Sequence, residues 1–93
     1  MAEVTDNEAR HRYEMTVDGT VAFIKYMMRD DAIVLVHTEV PDALSGHGVG
    51  SKLVRGTLDD IRRRGLKVVP SCTFVRGFLD KHPEYQDLVR ATD

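Results

Sequence analysis

Cysteine occurs once in this 93-residue chain, tryptophan not at all, and proline three times. A single thiol, Cys72, excludes an internal disulfide and is compatible with a reducing compartment. Charge of one sign is scarce as well. With 13 Lys and Arg against 15 Asp and Glu the formal net charge is −2, and no overall field draws the chain to nucleic acid or to an anionic membrane. The opening stretch MAEVTDNEARHRYEM mixes acids, bases and polar residues without the apolar run that a signal peptide or a membrane span requires. The expected location is the cytoplasm, with neither nucleic acid nor membrane as partner. Repeats, low-complexity tracts and Pro/Gly/Ser linkers are missing too. A chain this short buries only about 60–65% of its unfolded surface, which leaves room for one two-layer core and no second domain.

What is present reads as a short leader and one continuous fold. Residues 1–10 form a polar, flexible leader, and residues 11–93 a single domain. From His11 the pattern turns to strand, with Tyr13, Met15 and Val17 on one face by period-two alternation. Asp18-Gly19 is a type I′ hairpin signal, and the return strand covers Thr20 to Tyr26. A turn over Met27 to Asp31 leads to a third strand, Ala32 to Val40, apolar enough in its first half to be central. Gly48 to Arg64 is an amphipathic helix: Val49, Leu53, Thr57 and Ile61 recur every four residues, and Val54 and Leu58 widen the stripe. Arg55–Asp59, Asp59–Arg63 and Asp60–Arg64 stand at i,i+4 on its charged face and read as a solvated, solubilising surface. Gly65 closes the helix, Leu66-Lys67-Val68-Val69 restarts as a strand that Pro70 stops, and a shorter helix runs from Phe74 to Lys81 or His82 before Pro83. The order is βββαβα, an α+β arrangement.

The segment Ser45-Gly46-His47-Gly48-Val49-Gly50-Ser51 sets three glycines two apart at the head of the long helix. A helix N-terminus offers unpartnered N–H groups and a partial positive charge, so bare backbone just ahead of it opens a phosphate site. The competing reading is a tight turn that lets the helix pack closely on the sheet. Two phosphate loops fail: Lys52 follows Ser51 instead of preceding it, as a Walker loop requires, and G-x-G-x-G is not the G-x-G-x-x-G of a dinucleotide fingerprint.

These residues resemble the GNAT superfamily of acyl-CoA-dependent N-acetyltransferases, whose motif Gln/Arg-x-x-Gly-x-Gly/Ala leads from a central strand into a helix. Both glycines are matched, and Ser45 stands where Gln or Arg is usual. The closer resemblance is to minimal, YjdJ-like members of about this size. It runs from about Tyr13 to Val89 and is carried by His37-Thr38-Glu39-Val40-Pro41, the glycine turn, Gly65 to Cys72, and His82-Pro83-Glu84-Tyr85-Gln86-Asp87-Leu88-Val89. It implies a minimal GNAT-like fold, a mainly antiparallel sheet whose central strands, Ala32–Val40 and Leu66–Pro70, are splayed around the pantetheine arm of acetyl-CoA. It implies that Ser45, Gly46, His47, Gly48, Val49, Gly50 and Ser51 hold the pyrophosphate. Larger members place two helices between their first and second strands; here only Asp18-Gly19 joins Val17 to Thr20, so the acceptor side is expected to be open.

Cys72 follows the strand after the phosphate-binding helix, at the edge of the sheet where crevice ligands sit, and precedes a short helix whose N-terminus favours a thiolate. It is either a small buried hydrophobe or a thiol beside the thioester, the role the resemblance implies. His37 and Glu39, two apart, share a strand face, and either is a candidate to receive the acceptor amine's proton. The backbone of Thr38 to Val40, at the splay, is the candidate binder of the acetyl carbonyl. Tyr85 reads as a core or capping tyrosine. His11, His47 and His82 have no partner at metal-ligand spacing, and no metal is expected. Three functions follow: an acetyl-CoA-dependent N-acetyltransferase acting on an unidentified amine or protein acceptor, a non-catalytic acyl-CoA-binding or sensing module, or a small protein-interaction domain.

Overall fold

The computed structural model describes residues 3–90; residues 1 and 2 of the expected leader and 91–93 of the expected domain lie outside the described residues. Its five strands are β1 (Val4–Asn7), β2 (Arg12–Val17), β3 (Thr20–Arg29), β4 (Ala32–Glu39) and β5 (Lys67–Pro70), and its two α-helices are α1 (Val49–Arg63) and α2 (Thr73–Lys81). They form one sheet in the order β1-β2-β3-β4-β5, antiparallel throughout except for the parallel pair β4 and β5. The α+β class and the mainly antiparallel sheet are those expected from the sequence. Among the described residues no helix is long and apolar enough to cross a membrane.

The front of the chain corrects the sequence reading. The stretch taken for a leader contains β1, which pairs with β2 from Val4 opposite Met15 to Asn7 opposite Arg12. Four residues are too few to show a period, and two of them, Asp6 and Asn7, are poor strand formers. Pairing and polar contacts hold this strand instead. Tyr26 donates to Asp6 Oδ1 at 2.6 Å, Arg64 donates to Asp6 Oδ2 at 3.1 Å and to the Tyr13 hydroxyl at 3.0 Å, and Tyr13 donates to Asp60 Oδ2 at 2.6 Å. The first connection is therefore a single 3-10 turn, Glu8–Arg10, and Asp18-Gly19 is the second, its φ angles of 49° and 78° matching the expected hairpin. β3 also runs three residues further than expected, through Met27–Arg29, and the turn contracts to Asp30 and Asp31, because β4 supplies pairing partners to the end.

The helix stripes fall as the periodicity requires. Val49, Leu53, Val54, Leu58 and Ile61 of α1 and Val75, Phe78 and Leu79 of α2 join one core cluster with Tyr13, Met15, Ala22, Ile24, Tyr26, Ile33, Leu35 and Val68. The charged face of α1 is more than a solubilising surface. Asp59 accepts from the Tyr85 hydroxyl at 2.7 Å, and Arg62 reaches Asp87 at 2.8 Å, so these charges tie the 3-10 turn Pro83–Leu88 to the helix.

Asp60 gives this packing a pH dependence. Burial raises its carboxyl, but hydrogen bonds from Tyr13 and Arg63 and the nearby arginines outweigh that and hold it below the usual range. A folded value below the unfolded one, about 3.9, means that the stabilisation is full above that pH and is lost as pH falls through the folded value. Asp60→Asn is expected to cost about 1 kcal/mol at pH 7 and to flatten the acid limb of stability, read by urea unfolding across pH.

The central strands part for two reasons at one level of the sheet. β5 pairs with β4 from Lys67 opposite Ala32 to Pro70 opposite Leu35; Pro70 has no N–H, and beyond it the ladder stops. At the same level β4 bulges. Lys25 lies opposite His37 and Tyr26 opposite Leu35, so Val36 is an extra residue. The bulge reverses the parity of the strand. Leu35 shares the core face with Tyr26, and past the bulge Thr38 shares it with Ile24, whereas His37 and Glu39 turn to the opposite face with Lys25 and Phe23.

Candidate functional site

Two loops meet at the mouth of this splay. After β4, Pro41 and a 3-10 turn, Asp42–Leu44, lead to Ser45, whose hydroxyl donates to the Asp42 carbonyl at 3.0 Å. Gly46 and Gly48 have φ of 81° and 70°, a conformation that costs other residues about 1–2 kcal/mol. Gly48 is the residue that caps α1, so no side chain covers the helix N-terminus, and its first turn carries no acid. The amide hydrogens of Val49, Gly50 and Ser51 find no acceptor among the described residues. A cleft of about 260 Å³ opens over them, lined by Val40, Leu44, Ser45, Gly46, Gly48–Ser51 and Phe74. This is the chemistry of an anion cradle: bare donors, the positive end of a helix dipole and open space where a side chain would stand.

Not every residue of the motif points its side chain at the cleft. Val49 is buried in the core, His47 is exposed, and Gly50 faces the Phe74 ring: a Cβ there would come 2.5 Å from Phe74 Cζ and push the ring aside. Phe74, 45% exposed, is the residue the sequence reading passed over. It separates the cradle from a second cleft of about 340 Å³ lined by Ser51, Thr73, Phe74, Gly77, Phe78, Lys81 and His82. Its only sequence signal is a large apolar residue in the first turn of a helix, on the flank of the stripe of Val75, Phe78 and Leu79 and four residues before Phe78.

Cys72 sits at the head of α2 and is 7% exposed. Its N–H returns to the Leu35 carbonyl at 2.9 Å, bridging the strands just where their ladder ends. Its Sγ lies 3.2 Å from Thr38 Oγ1. Burial pushes the thiol up, but the Thr38 hydroxyl and the N–H groups of Val75, Phe74 and Thr38 outweigh it, and on balance the thiol is held below its ordinary value. The structure thus brings together Thr38, Cys72 and the glycine cradle, with Phe74 in contact with both.

His37 and Glu39 are not part of that group. Each is more than half exposed on the opposite face of the sheet, and they pair with each other at 3.1 Å. Tyr85 is buried among structural partners, donating to Asp59 at 2.7 Å and accepting from Arg55 at 3.2 Å. Burial and the Asp59 carboxylate raise its hydroxyl pKa, so it keeps its proton at neutral pH. Tyr85→Phe is expected to cost about 1 kcal/mol of stability and to leave any acyl transfer at pH 7 unchanged, which thermal melts and an amine acetylation assay would check.

The described residues thus form an α+β protein whose sheet splits beside a bare helix N-terminus, with a thiol at the split. The comparisons with known proteins make the class specific. The sequence profile described as GCN5-related N-acetyl-transferase matches residues 12–88, and the chain belongs to that family. It is similar to Protein NATD1 of Homo sapiens, 31% identical over 87 residues covering 87% of this chain and 76% of the relative, and to Protein NATD1 of Gallus gallus, 35% identical over 84 residues with the same coverages. The NMR solution structure of a GCN5-like candidate N-acetyltransferase from Staphylococcus aureus matches with a TM-score of 0.73 at 32% identity, covering 98% of this chain and 90% of that one.

Proposed function

We propose that this protein transfers an acetyl group from acetyl-CoA to an amine by way of Cys72. The observation that carries the reading is the place of the Cys72 sulfur: it lies at the mouth of the β4/β5 splay, at the N-cap position of α2 and 3.2 Å from the Thr38 hydroxyl oxygen. A hydroxyl and the positive end of a helix beside a thiol favour its thiolate, the form a nucleophile needs.

Acetyl-CoA, when bound, supplies an acyl group already activated as a thioester. The residues present fit it. The amides of Val49, Gly50 and Ser51 would hold the pyrophosphate, and the gap beyond Leu35 and Pro70 is the place for the pantetheine arm. The Cys72 thiolate attacks the thioester carbonyl carbon; its C–S bond forms as the bond to the coenzyme sulfur breaks, and the departing thiolate takes a proton from solvent. Attack of the amine on the acyl-cysteine then forms the C–N bond, returns Cys72 to its thiolate and releases the amine's proton. The backbone of Thr38, beside the sulfur, would polarise the carbonyl in both steps. Since only Glu8–Arg10 connects β1 to β2, little protein walls the acceptor side, which favours a bulky amine or a protein acceptor.

The test is intact-protein mass spectrometry after mixing with acetyl-CoA and quenching in acid. A hydroxylamine-labile acetyl adduct, present in the wild type and missing in Cys72→Ala, is the expected result. Tight coenzyme A binding with neither adduct nor turnover against a broad amine panel would replace this reading with that of an acyl-CoA-binding module.

A further inference from the structure

The bulge at Val36 has a consequence beyond the split in the sheet. Without it the two-residue period of β4 would carry His37 and Glu39 inward behind Ile33 and Leu35, and Thr38 outward. The extra residue exchanges them, so that a hydroxyl enters the core face in the stretch past Leu35 where β4 has lost its partner on the β5 side. There it meets the only thiol of the chain at 3.2 Å. The backbone holds the same pair from the other end, through the Cys72 N–H and the Leu35 carbonyl at 2.9 Å.

We propose that Thr38 is a positioning residue for Cys72: its side-chain hydroxyl, turned inward by the Val36 bulge, fixes Sγ at the mouth of the splay and donates a hydrogen bond to the thiolate. In the neutral state either group can donate; on ionisation only the hydroxyl can, and its bond to the thiolate is charge-assisted and stronger. The β-branch of threonine suits it to this post, since it stiffens χ1 in a strand and so fixes where the oxygen points. The other groups around the sulfur are dipoles, the N–H groups of Phe74, Val75 and Thr38. Charged groups on the surrounding elements turn elsewhere: His37 and Glu39 of β4 lie on the opposite face, and Lys67 of β5, Arg76, Asp80 and Lys81 of α2, Lys52 of α1 and Asp42 of the preceding turn are exposed or on the rim. Among the described residues no ion pair reaches the sulfur to do what the hydroxyl does.

The inference gives Thr38 a role in the acyl-cysteine reading above, but its test does not need acetyl-CoA. With a single cysteine, the thiolate absorbance of the free protein titrates Cys72 alone. Thr38→Val, nearly isosteric, is expected to raise the titration midpoint by about one to two pH units, and Thr38→Ser to restore it to within about half a unit of the wild type. Thr38→Ala, which adds no methyl group in place of the hydroxyl, repeats the measurement should the valine variant misfold, with circular dichroism as the control. A midpoint unmoved in a folded Val or Ala variant, or a serine variant that titrates like valine, overturns the proposal. If wild type forms no acyl adduct yet Thr38→Val still shifts the midpoint, the hold of Thr38 on the sulfur stands and the acyl-cysteine reading falls.

Discussion

Replacing Cys72 by alanine is expected to lower amine acetylation by about 10³-fold or more while leaving the affinity for coenzyme A near its wild-type value. The split follows from the geometry. The phosphate donors belong to the loop before α1 and the first turn of that helix, whereas the sulfur belongs to the head of α2 and touches Thr38 across the gap. In the proposed reaction, removing the sulfur takes away the group that would make and break bonds and none of those that would hold the nucleotide end. In kinetic terms kcat falls and KM for acetyl-CoA holds, provided that chemistry is slower than release. Packing adds a check on folding, because Cys72 is a small member of the core and its loss leaves at most a modest cavity. A variant that keeps its melting temperature within a few degrees and still transfers acetyl within about threefold of wild type would mean that the amine attacks the thioester directly.

Gly48→Val is expected to weaken coenzyme A binding by about 100-fold, measured by calorimetry, with the sheet and both helices intact. Two effects act together. At φ of 70° a β-branched residue is strained by about 1–2 kcal/mol, and relief of that strain would turn the first N–H groups of α1 away from the cleft. The new side chain also meets no protein within 4 Å of its Cβ; it therefore stands in the open cradle, where a phosphate would lie. Losing two charge-assisted hydrogen bonds at about 1.5 kcal/mol each corresponds to that factor. Affinity within about threefold of wild type would show that the glycines only shape the turn, the reading in which the loop serves packing alone.

Much of the frame was legible because its signals are local. The i,i+4 stripe from Val49 to Ile61 could only be a helix facing a core, Asp18-Gly19 could only be a tight hairpin, and glycines before a helix left its amides bare wherever the helix lay. The front strand was hidden for the opposite reason. Val4–Asn7 has no period of its own and exists because β2 pairs with it and Tyr26 and Arg64, distant in sequence, bond to Asp6. The charges of α1 misled in the same way: their i,i+4 spacing says nothing of Tyr85 or Asp87 arriving from the end of the chain to pair with them.

At the site the division is sharper. The sequence by itself determined that one thiol follows the last strand at the head of a helix and that a bare glycine turn precedes the long one. It also determined that His37 and Glu39 share a face, since they are two apart in a strand. Which face that is, and which side chain meets the thiol, only the tertiary structure decided. One unpaired residue, Val36, reverses the parity of β4 and sends Thr38 to Cys72 and His37 and Glu39 to the far side. A bulge is a property of two strands paired together: its register is set by what Lys25 and Tyr26 bond to across the ladder, which β4 alone does not specify.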